Sequence, residues 1–540
     1  MRQTKDGNMQ SKNVFVKPNL VVEPLVDKWY ASSYLISPVT ASLFFANHYL
    51  KMLQSFVSAP QVHIKALQER KMLGGPFIDY PAARVKEIRS LIDKTIAAHP
   101  ETLRFAKGVR ELNQLLAEKA DGHTVEPLYS QVPEPLRGFV ELVYDLNNAP
   151  SIRFMEGLLY HSRMFHENTQ SVRLFLTESD GRPFAFNTPR LPCNDSMELP
   201  IPFCDPRLDD LHRARTEPIN YQDLKNLLNI DEQLEETFLT FLTTSQPVAK
   251  GSFDGEGLRV RYFGHACILL ETRNLAILCD PVIGYSYEHG ADRYTYEDLP
   301  EKLDYILITH NHHDHCLIET LLQLRHKTEK VMVPKNNPGA LQDPSLKMML
   351  KSIGFKQVYE IDEMEVVDVV GGSIRGIPFL GEHGDVNIHS KIAFCVELEG
   401  QSVIMAADSN NLDARVYRNL VPNIPQVDAL FIGLECEGAP LSWAYGPMLM
   451  NPVSRSMDQS RRFDGSDCEK AMQIVDILKP KHAYVYAMGL EPWLTFMIAV
   501  DDSETSHSIQ ESGKFVGLCR ELDIESERMF CKKEIVLTSD

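Results

Sequence analysis

The residues with the strongest claim to chemistry lie in Thr309-His310-Asn311-His312-His313-Asp314-His315-Cys316, a His-x-His-x-Asp-His pattern. They directly follow the apolar run Tyr305-Ile306-Leu307-Ile308, which reads as a short buried strand. Polar groups at the C-terminal end of such a strand stand where α/β proteins place their sites. From that turn His310 and His312 can converge on one metal ion, while Asp314 and His315 face a second. Imidazole together with carboxylate suits zinc or iron. A two-metal centre is expected.

The surrounding elements supply the scaffold such a centre needs. Leu258 to Phe263, Cys267 to Glu271 and Leu275 to Leu278 read as three short strands, closed by Cys279-Asp280-Pro281. After the metal loop come a helix from about Leu317, a strand near Val331-Met332-Val333 and a helix near Leu346. Strands then dominate from Gln357 to about Ala407, with Ala429 to Gly433, a helix from Cys468 to Leu478 and Ala483 to Tyr486 beyond. That order predicts two mixed sheets between helices, an αββα sandwich. Residues 1–245 form an expected α+β domain, 246–257 a linker and 258–540 the catalytic domain.

The N-terminal half carries no motif with a chemical reading. Thr40 to Val57, Arg84 to His99 and Glu101 to Ala120 have helical patterning, the last with Phe105, Val109, Leu112 and Leu116 on one face. Val172 to Leu176 and Phe184-Ala185-Phe186 read as strands, and Tyr221 to Thr243 as one long helix. Docking or dimerisation is the role left by elimination.

Composition sets the outer limits. With 540 residues, 44% hydrophobic and 24% charged, the chain is long enough for two or three domains with a substantial core. A net charge of −19 argues against a general nucleic-acid role. The opening Met1-Arg2-Gln3-Thr4-Lys5-Asp6 leads into a polar segment, so no secretion leader is expected, and no apolar stretch is long enough for a membrane span. Ten cysteines without a Cys-x-x-Cys pair fit reduced thiols in a cytoplasm, with Cys267, Cys279 and Cys395 as core residues.

Phe263-Gly264-His265-Ala266, Cys279-Asp280-Pro281, His310-x-His312-x-Asp314-His315 and Ala407-Asp408-Ser409 follow one another in the motif order of the metallo-β-lactamase superfamily, which the chain resembles over roughly residues 258–490. The resemblance implies that Asp280 supports the metal loop from behind the ligands. It also implies that Asp408 bridges the two metals, where a carboxylate lowers the repulsion between cations about 3.5–4 Å apart.

Two departures separate the chain from the hydrolases of that superfamily. They carry a last histidine after a late strand, but near Ala487 and Met488 no imidazole stands at that place, and His482 before the strand reads as structural. The lost ligand opens a position on the second metal, as oxygen binding requires. The other departure is Gly381-Glu382-His383-Gly384-Asp385, where either Glu382 or His383 could complete the first metal's shell, because neighbours on an extended chain face opposite ways. A histidine would preserve the zinc-hydrolase pattern, and with it a dinuclear hydrolase of esters, lactones or phosphodiesters. A glutamate would give a harder, more anionic set suited to oxidised iron.

Glu382 with the missing late histidine resembles the diiron β-hydroxylase of chloramphenicol biosynthesis and its relatives. That resemblance implies His310, His312 and Glu382 on one iron, Asp314 and His315 on the other, and Asp408 between them, with Glu382 and Asp408 as catalytic ligands and Asp280 and His383 in support. It implies two iron ions in an oxo- or hydroxo-bridged cluster, with dioxygen as co-substrate. The implied reaction is β-hydroxylation of an amino acid held as a thioester on the phosphopantetheine arm of a non-ribosomal peptide synthetase carrier (thiolation) domain, for antibiotic biosynthesis. Two electrons come from an external donor, since no flavin or nicotinamide fingerprint is evident, and a homodimer is expected. Glu435, Glu437, Trp443 and Tyr445, in the segment after Ala429 to Gly433, are candidates to line the pocket for an amino group and an aromatic side chain. Arg461 and Arg462 read as a solvated basic pair, and His265 as a supporting or packing residue.

Overall fold

The computed structural model describes residues 12–69, 72, 74–248, 252–499 and 503–538, so residues 249–251 of the expected linker lie outside it. Its framework is a pair of seven-stranded sheets. Across the first run Val358–Ile361, Thr328–Pro334, Leu303–Leu307, Leu275–Cys279, Cys267–Thr272, Leu258–Gly264 and Lys533–Leu537. Across the second run Val366–Val369, Gly372–Ile377, Ala393–Leu398, Gln401–Met405, Ala429–Gly433, His482–Tyr486 and Glu525–Arg528. Each sheet is antiparallel on one side and parallel on the other. The parallel strands Leu275–Cys279 and Ala429–Gly433 are buried at every residue, which is why they read as unbroken apolar runs rather than alternating ones.

The period of two along each strand divides its side chains between layers. Tyr305 and Leu307 enter the core between the sheets, where Ile277 and Leu270 meet Phe394, Val403 and Phe431 of the opposing sheet. Ile306 and Ile308 point the other way, into a core shared with the N-terminal half. The outer face of the second sheet is covered by helices Arg415–Leu420, Cys468–Leu478 and His507–Glu521 through Leu420, Ile474 and Phe515. The expected αββα layering is present, and the strands expected in this half overlap observed ones, with ends that differ by up to three residues: Val331 to Val333 lies inside Thr328–Pro334, and Ile374 to Leu380 overruns Gly372–Ile377.

The N-terminal half is more than an appendage. Its residues Leu43, Phe105, Leu174 and Phe203 belong to the same apolar cluster as Ile306, Leu321 and Val331 of the first sheet's outer layer. Buried ion pairs cross the same boundary. Arg182 makes a bidentate pair with Glu319, at 2.9 and 2.8 Å, on the helix Ile318–Leu324 that follows the metal loop. Glu319 also accepts from the hydroxyls of Tyr30 and Tyr285.

Three local expectations differ from the structure. Tyr221 to Thr243 is not one helix but Tyr221–Leu227, a 3-10 turn at Glu232–Leu234, Glu235–Thr240 and a short strand Leu242–Thr243. The break follows Asn229, in the left-handed region at φ 52°, a conformation asparagine tolerates and a continuous helix does not. The helix from Pro38 widens to a π-turn at Phe45–Tyr49 before resuming as Leu50–Ser58. Phe184 to Phe186 form no strand, because their rings are spent on packing over the site described next.

Candidate metal centre

Loops at the C-terminal ends of strands in both sheets bring the chemistry together. Asp280 follows Leu275–Cys279, the metal loop follows Leu303–Leu307, Asp408 follows Gln401–Met405 and Glu435 follows Ala429–Gly433. Several of these residues sit at positive φ without being glycine: Asp280 at 42°, Glu382 at 69° and Ala407 at 46°. Such conformations cost of order 1–3 kcal/mol each and persist where the fold over-determines them, commonly at functional sites. Gly433 makes room for Asp408, since a Cβ there would stand 2.7 Å from the Ala407 carbonyl and 3.1 Å from Asp408 Oδ1.

The ligand-type atoms fall into groups within 4.8 Å of one another: His310, His312 and Glu382; His265, Asp314 and His315; and His310, His315 and Asp408. His312 Nδ1 is 2.8 Å from Glu382 Oε1, and His310 Nε2 is 3.8 Å from both Glu382 Oε2 and Asp408 Oδ2. His315 Nε2 lies 2.9 Å from Asp408 Oδ2 and 3.9 Å from Asp314 Oδ2. Asp408 therefore stands between the other two groups, facing an imidazole of each.

The state of the buried donor atoms decides whether two cations fit. His310 Nε2, His312 Nε2, His315 Nε2, Glu382 Oε2 and Asp408 Oδ1 are buried and make no hydrogen bond within the protein. Each orphaned polar atom costs about 1–3 kcal/mol, so a convergent set of them has the form of a binding site rather than of a packed interior. Burial, reinforced by His315 and His312, pushes the His310 imidazole well below its usual range and keeps it in the neutral, metal-binding form. Burial raises the Glu382 carboxyl to about 7, an effect that nearby Asp408 and Asp314 reinforce and His312 opposes. Crowded acids of this kind are relieved by a positive ion.

Asp280 is fully buried and accepts from the Thr309 backbone N–H at 2.7 Å, the Thr309 hydroxyl at 2.6 Å and His315 Nδ1 at 2.8 Å. It fixes the proton on Nδ1 and turns His315 Nε2 toward the site. His265 has the opposite polarity. Its Nδ1 accepts from the Gly489 N–H at 3.2 Å, which leaves the proton on Nε2, 3.2 Å from Asp314 Oδ2. That Nε2 is buried and makes no hydrogen bond within the protein, but it faces Asp314 from the loop after His482–Tyr486, where hydrolases of this fold carry their last histidine. His482 itself is paired with Glu525 at 3.3 Å, away from these groups.

His383 is buried but belongs to none of the converging groups. Its Nδ1 is 2.8 Å from the Tyr445 hydroxyl, and its ring packs against His312 at 4.5 Å between centroids. Glu435 faces the centre: burial, followed by Asp408, Asp314 and Glu382, drives its carboxyl well above the usual range. Glu437, two residues further on, is exposed. Trp443, half-buried on Leu441–Tyr445, borders Gly74 and Phe184 of the N-terminal half. Arg461 donates to the Gly384 carbonyl at 2.8 Å and braces the Glu382 turn, and Arg462 reaches Gln459.

An aromatic cover over the metal loop went unread in the sequence. Phe186 stacks on His313 at 4.1 Å, and Tyr34 meets His313 edge-on at 6.2 Å. Burial pushes the His313 imidazole down to about 4, so it serves as a neutral packing surface. The Phe-Ala-Phe triplet was the available signal, but its alternation looks the same for a strand and for a loop planting aromatic rings.

The diiron non-heme beta-hydroxylase N-terminal domain profile matches residues 15–247, and a beta-lactamase superfamily domain matches residues 259–431. The chain is 36% identical over 530 residues to a 4-amino-L-phenylalanyl-[CmlP-peptidyl-carrier-protein] 3-hydroxylase of Streptomyces venezuelae, covering 97% of this chain and 99% of that protein. The crystal structure of CmlA, a diiron beta-hydroxylase from Streptomyces venezuelae, superposes with a TM-score of 0.92 at 35% identity, covering 98% of this chain and all of that one. A glutamate-to-aspartate mutant of CmlA gives 0.89 at 34%, over 97% of this chain and again all of that one. With likeness of that extent in both halves, this chain belongs to the diiron non-heme β-hydroxylases, enzymes with a dinuclear iron cofactor on a metallo-β-lactamase fold.

Proposed function

We propose that this enzyme hydroxylates the β-carbon of an amino acid tethered as a thioester to a carrier domain of a non-ribosomal peptide synthetase, in natural-product biosynthesis. The observation that carries the reading is the donor set: Glu382, and not His383, converges with His310 and His312. Three imidazoles and three carboxylates then face the pair, a set that suits iron. The activity of the Streptomyces venezuelae relative on a carrier-bound aminophenylalanine supports the same substrate class. The zinc-hydrolase alternative needs an imidazole where Glu382 stands.

His310, His312 and Glu382 would hold one iron, Asp314 and His315 the other, with Asp408 shared between them. When bound, the iron pair would supply dioxygen activation: one oxygen atom enters the C–H bond, and the other leaves as water, with two electrons from an external donor and two protons from solvent. The protein's own residues orient and enclose. Asp280 sets the His315 proton, and His265 steadies Asp314. Phe186, Tyr34 and Trp443 exclude water over the loop. Glu435, its carboxyl driven well above the usual range by burial and by Asp408, Asp314 and Glu382, would accept from the substrate's amino group as a neutral acid, or ionise when the ammonium group arrives beside it. We further propose a homodimer, a cytoplasmic setting consistent with ten free cysteines, and a domain division at 246–257. No described helix is long and apolar enough to cross a membrane.

The test is iron reconstitution followed by mass analysis of aminoacyl-loaded carrier domains. A product heavier by one oxygen and still tethered is expected. A zinc-only protein that releases the amino acid would overturn the reading.

A further inference from the structure

Lys391 joins two segments that carry ligands of the first metal. Its backbone pairs antiparallel with His310 across an isolated bridge, and the next residue, Ile392, donates its N–H to the Thr309 carbonyl at 2.8 Å. Its side chain reaches the other segment, where Nζ donates to the Gly381 carbonyl at 2.8 Å, on the peptide that leads into Glu382. Nζ also lies 5.8 Å from the centre of the Phe379 ring, which packs against His310 at 5.2 Å. The loop before Lys391 is fixed from behind. Buried Asp343 accepts from the N–H groups of Asn337, His389 and Ser390 at 2.7, 2.9 and 3.2 Å. Lys391 is half-buried, and among the described residues it makes no ion pair.

We propose that Lys391 is a positioning residue of the first metal site, which locks Glu382 in register with His310 and offsets the charge of the carboxylates there. This role rests on the ligand reading above and falls to a side chain that binds no metal. The locking follows from the turn. Glu382 sits at φ 69°, between Gly381 at 69° and, one residue beyond His383, Gly384 at 57°. A glutamate keeps that conformation only where its surroundings hold it. Its φ is a rotation out of the Gly381–Glu382 peptide plane, and a hydrogen bond on the Gly381 carbonyl fixes that plane. Leu380, one residue earlier, is tied to the loop of Asp408: its N–H donates to Ser409 Oγ at 3.1 Å, and its carbonyl accepts from the Asn410 N–H at 2.9 Å. Arg461 holds the far end of the turn through the Gly384 carbonyl. Of these three ties, the one through Lys391 leads to His310. The ammonium group acts by its charge as well. A half-buried cation without a paired carboxylate is costly and persists where something gains from it. Burial pulls the ammonium below its usual range, and Glu382, ahead of Asp343, Asp385 and Glu363, opposes that shift. The charge therefore bears on the same carboxylate that the hydrogen bond orients. A fixed cation beside a metal pair favours the form of the pair with less positive charge, the reduced one.

The experiment uses the full chain with Lys391→Met, Lys391→Gln and Lys391→Arg. Lys119→Met, at the exposed end of the helix Pro100–Lys119, controls for the loss of one charge. Each protein is titrated with cobalt(II) against a competing chelator and fitted to two sites, and Asp280→Asn, which acts on His315, marks the second. Each iron-loaded protein is also reduced stepwise against redox dyes, and its melting temperature is measured. Lys391→Met should lose about tenfold to hundredfold in affinity at the first site and little at the second, as for other partners that orient ligands from behind. Its reduction potential should fall below the native one. Lys391→Gln can still donate to the Gly381 carbonyl and should recover affinity without recovering the potential. Lys391→Arg keeps the charge and should recover the potential. The control should match the native protein in both readouts. A folded Lys391→Met protein with native first-site affinity and native potential overturns the proposal, as does an equal loss at both sites. Equal potentials in Lys391→Gln and Lys391→Arg overturn it even where Lys391→Met does not fold. Absence of any dinuclear signal in the unsubstituted protein would instead refute the ligand reading, which keeps the two failures apart.

Discussion

Asp280→Asn isolates one hydrogen bond and predicts a loss at one metal site. Asp280 Oδ1 accepts from the Thr309 N–H, while Oδ2 accepts from both the Thr309 hydroxyl and His315 Nδ1. Asparagine keeps the shape and one acceptor, which the Thr309 N–H retains, and its NH2 replaces Oδ2. The threonine hydroxyl can rotate and accept, but the His315 ring cannot. Donor would face donor unless the imidazole moves its proton to Nε2, the atom 2.9 Å from Asp408 that must stay bare to bind metal. Loss of such an outer partner costs about 10–100-fold in metal affinity, roughly 1.4–2.7 kcal/mol. The deficit should fall more heavily on the second metal, because His312 and Glu382 do not depend on Asp280 and His310 meets it only through the Thr309 hydroxyl, which lies 3.0 Å from His310 Nδ1. The assay is metal titration of the apo protein against a competing chelator, fitted to two sites. Two metals at native affinity, or an equal loss at both sites, would refute the reasoning.

Other outcomes follow from the same geometry. Glu382→Ala should abolish turnover and empty the first site, whereas His383→Ala should keep two irons by metal analysis; loss of both metals in His383→Ala would return the zinc-hydrolase assignment. Burial raises the Glu156 carboxyl from 4.5 to about 7, although it accepts from the Ser345 N–H. Its folded value lies above its unfolded one, so the stability linked to its protonated form is complete below about 4.5 and lost as pH rises through 7. Glu156→Gln should then be more stable than the native chain at pH 8, by about 3 kcal/mol at most, and nearly equal at pH 4, read by urea unfolding at the two pH values. Arg182→Ala strands the buried Glu319 carboxylate and should cost about 3–5 kcal/mol, seen as a lower urea midpoint; a change below 1 kcal/mol would show that Tyr30 and Tyr285 suffice.

The sheets and the metal loop were legible in the sequence because each rests on local pattern. Tyr305 to Leu307 announces a buried strand by composition, and His310 to His315 announces ligands by spacing. Glu382 was less so. Only the turn that puts it at φ 69° separates it from His383, and two adjacent residues carry no signal for which one enters the site. The Phe186 and Tyr34 cover and the Arg182–Glu319 pair were out of reach for a different reason. Each joins residues more than a hundred positions apart, and none leaves a mark on its neighbours in the chain. The helix expected from Tyr221 to Thr243 failed on one residue, Asn229, whose left-handed turn outweighed the apolar periodicity on either side.

The central claim is that this centre inserts oxygen into a tethered amino acid. A single turnover of the chemically reduced, iron-loaded enzyme under isotopically heavy dioxygen tests it directly, with a loaded carrier, an empty carrier and the free amino acid compared by mass spectrometry. Binding contacts made far from the β-carbon are expected to drive the reaction, so only the loaded carrier should gain one heavy oxygen atom, with its thioester intact. An unlabelled product, an amino acid cut from its carrier, or equal hydroxylation of the free amino acid would contradict the account.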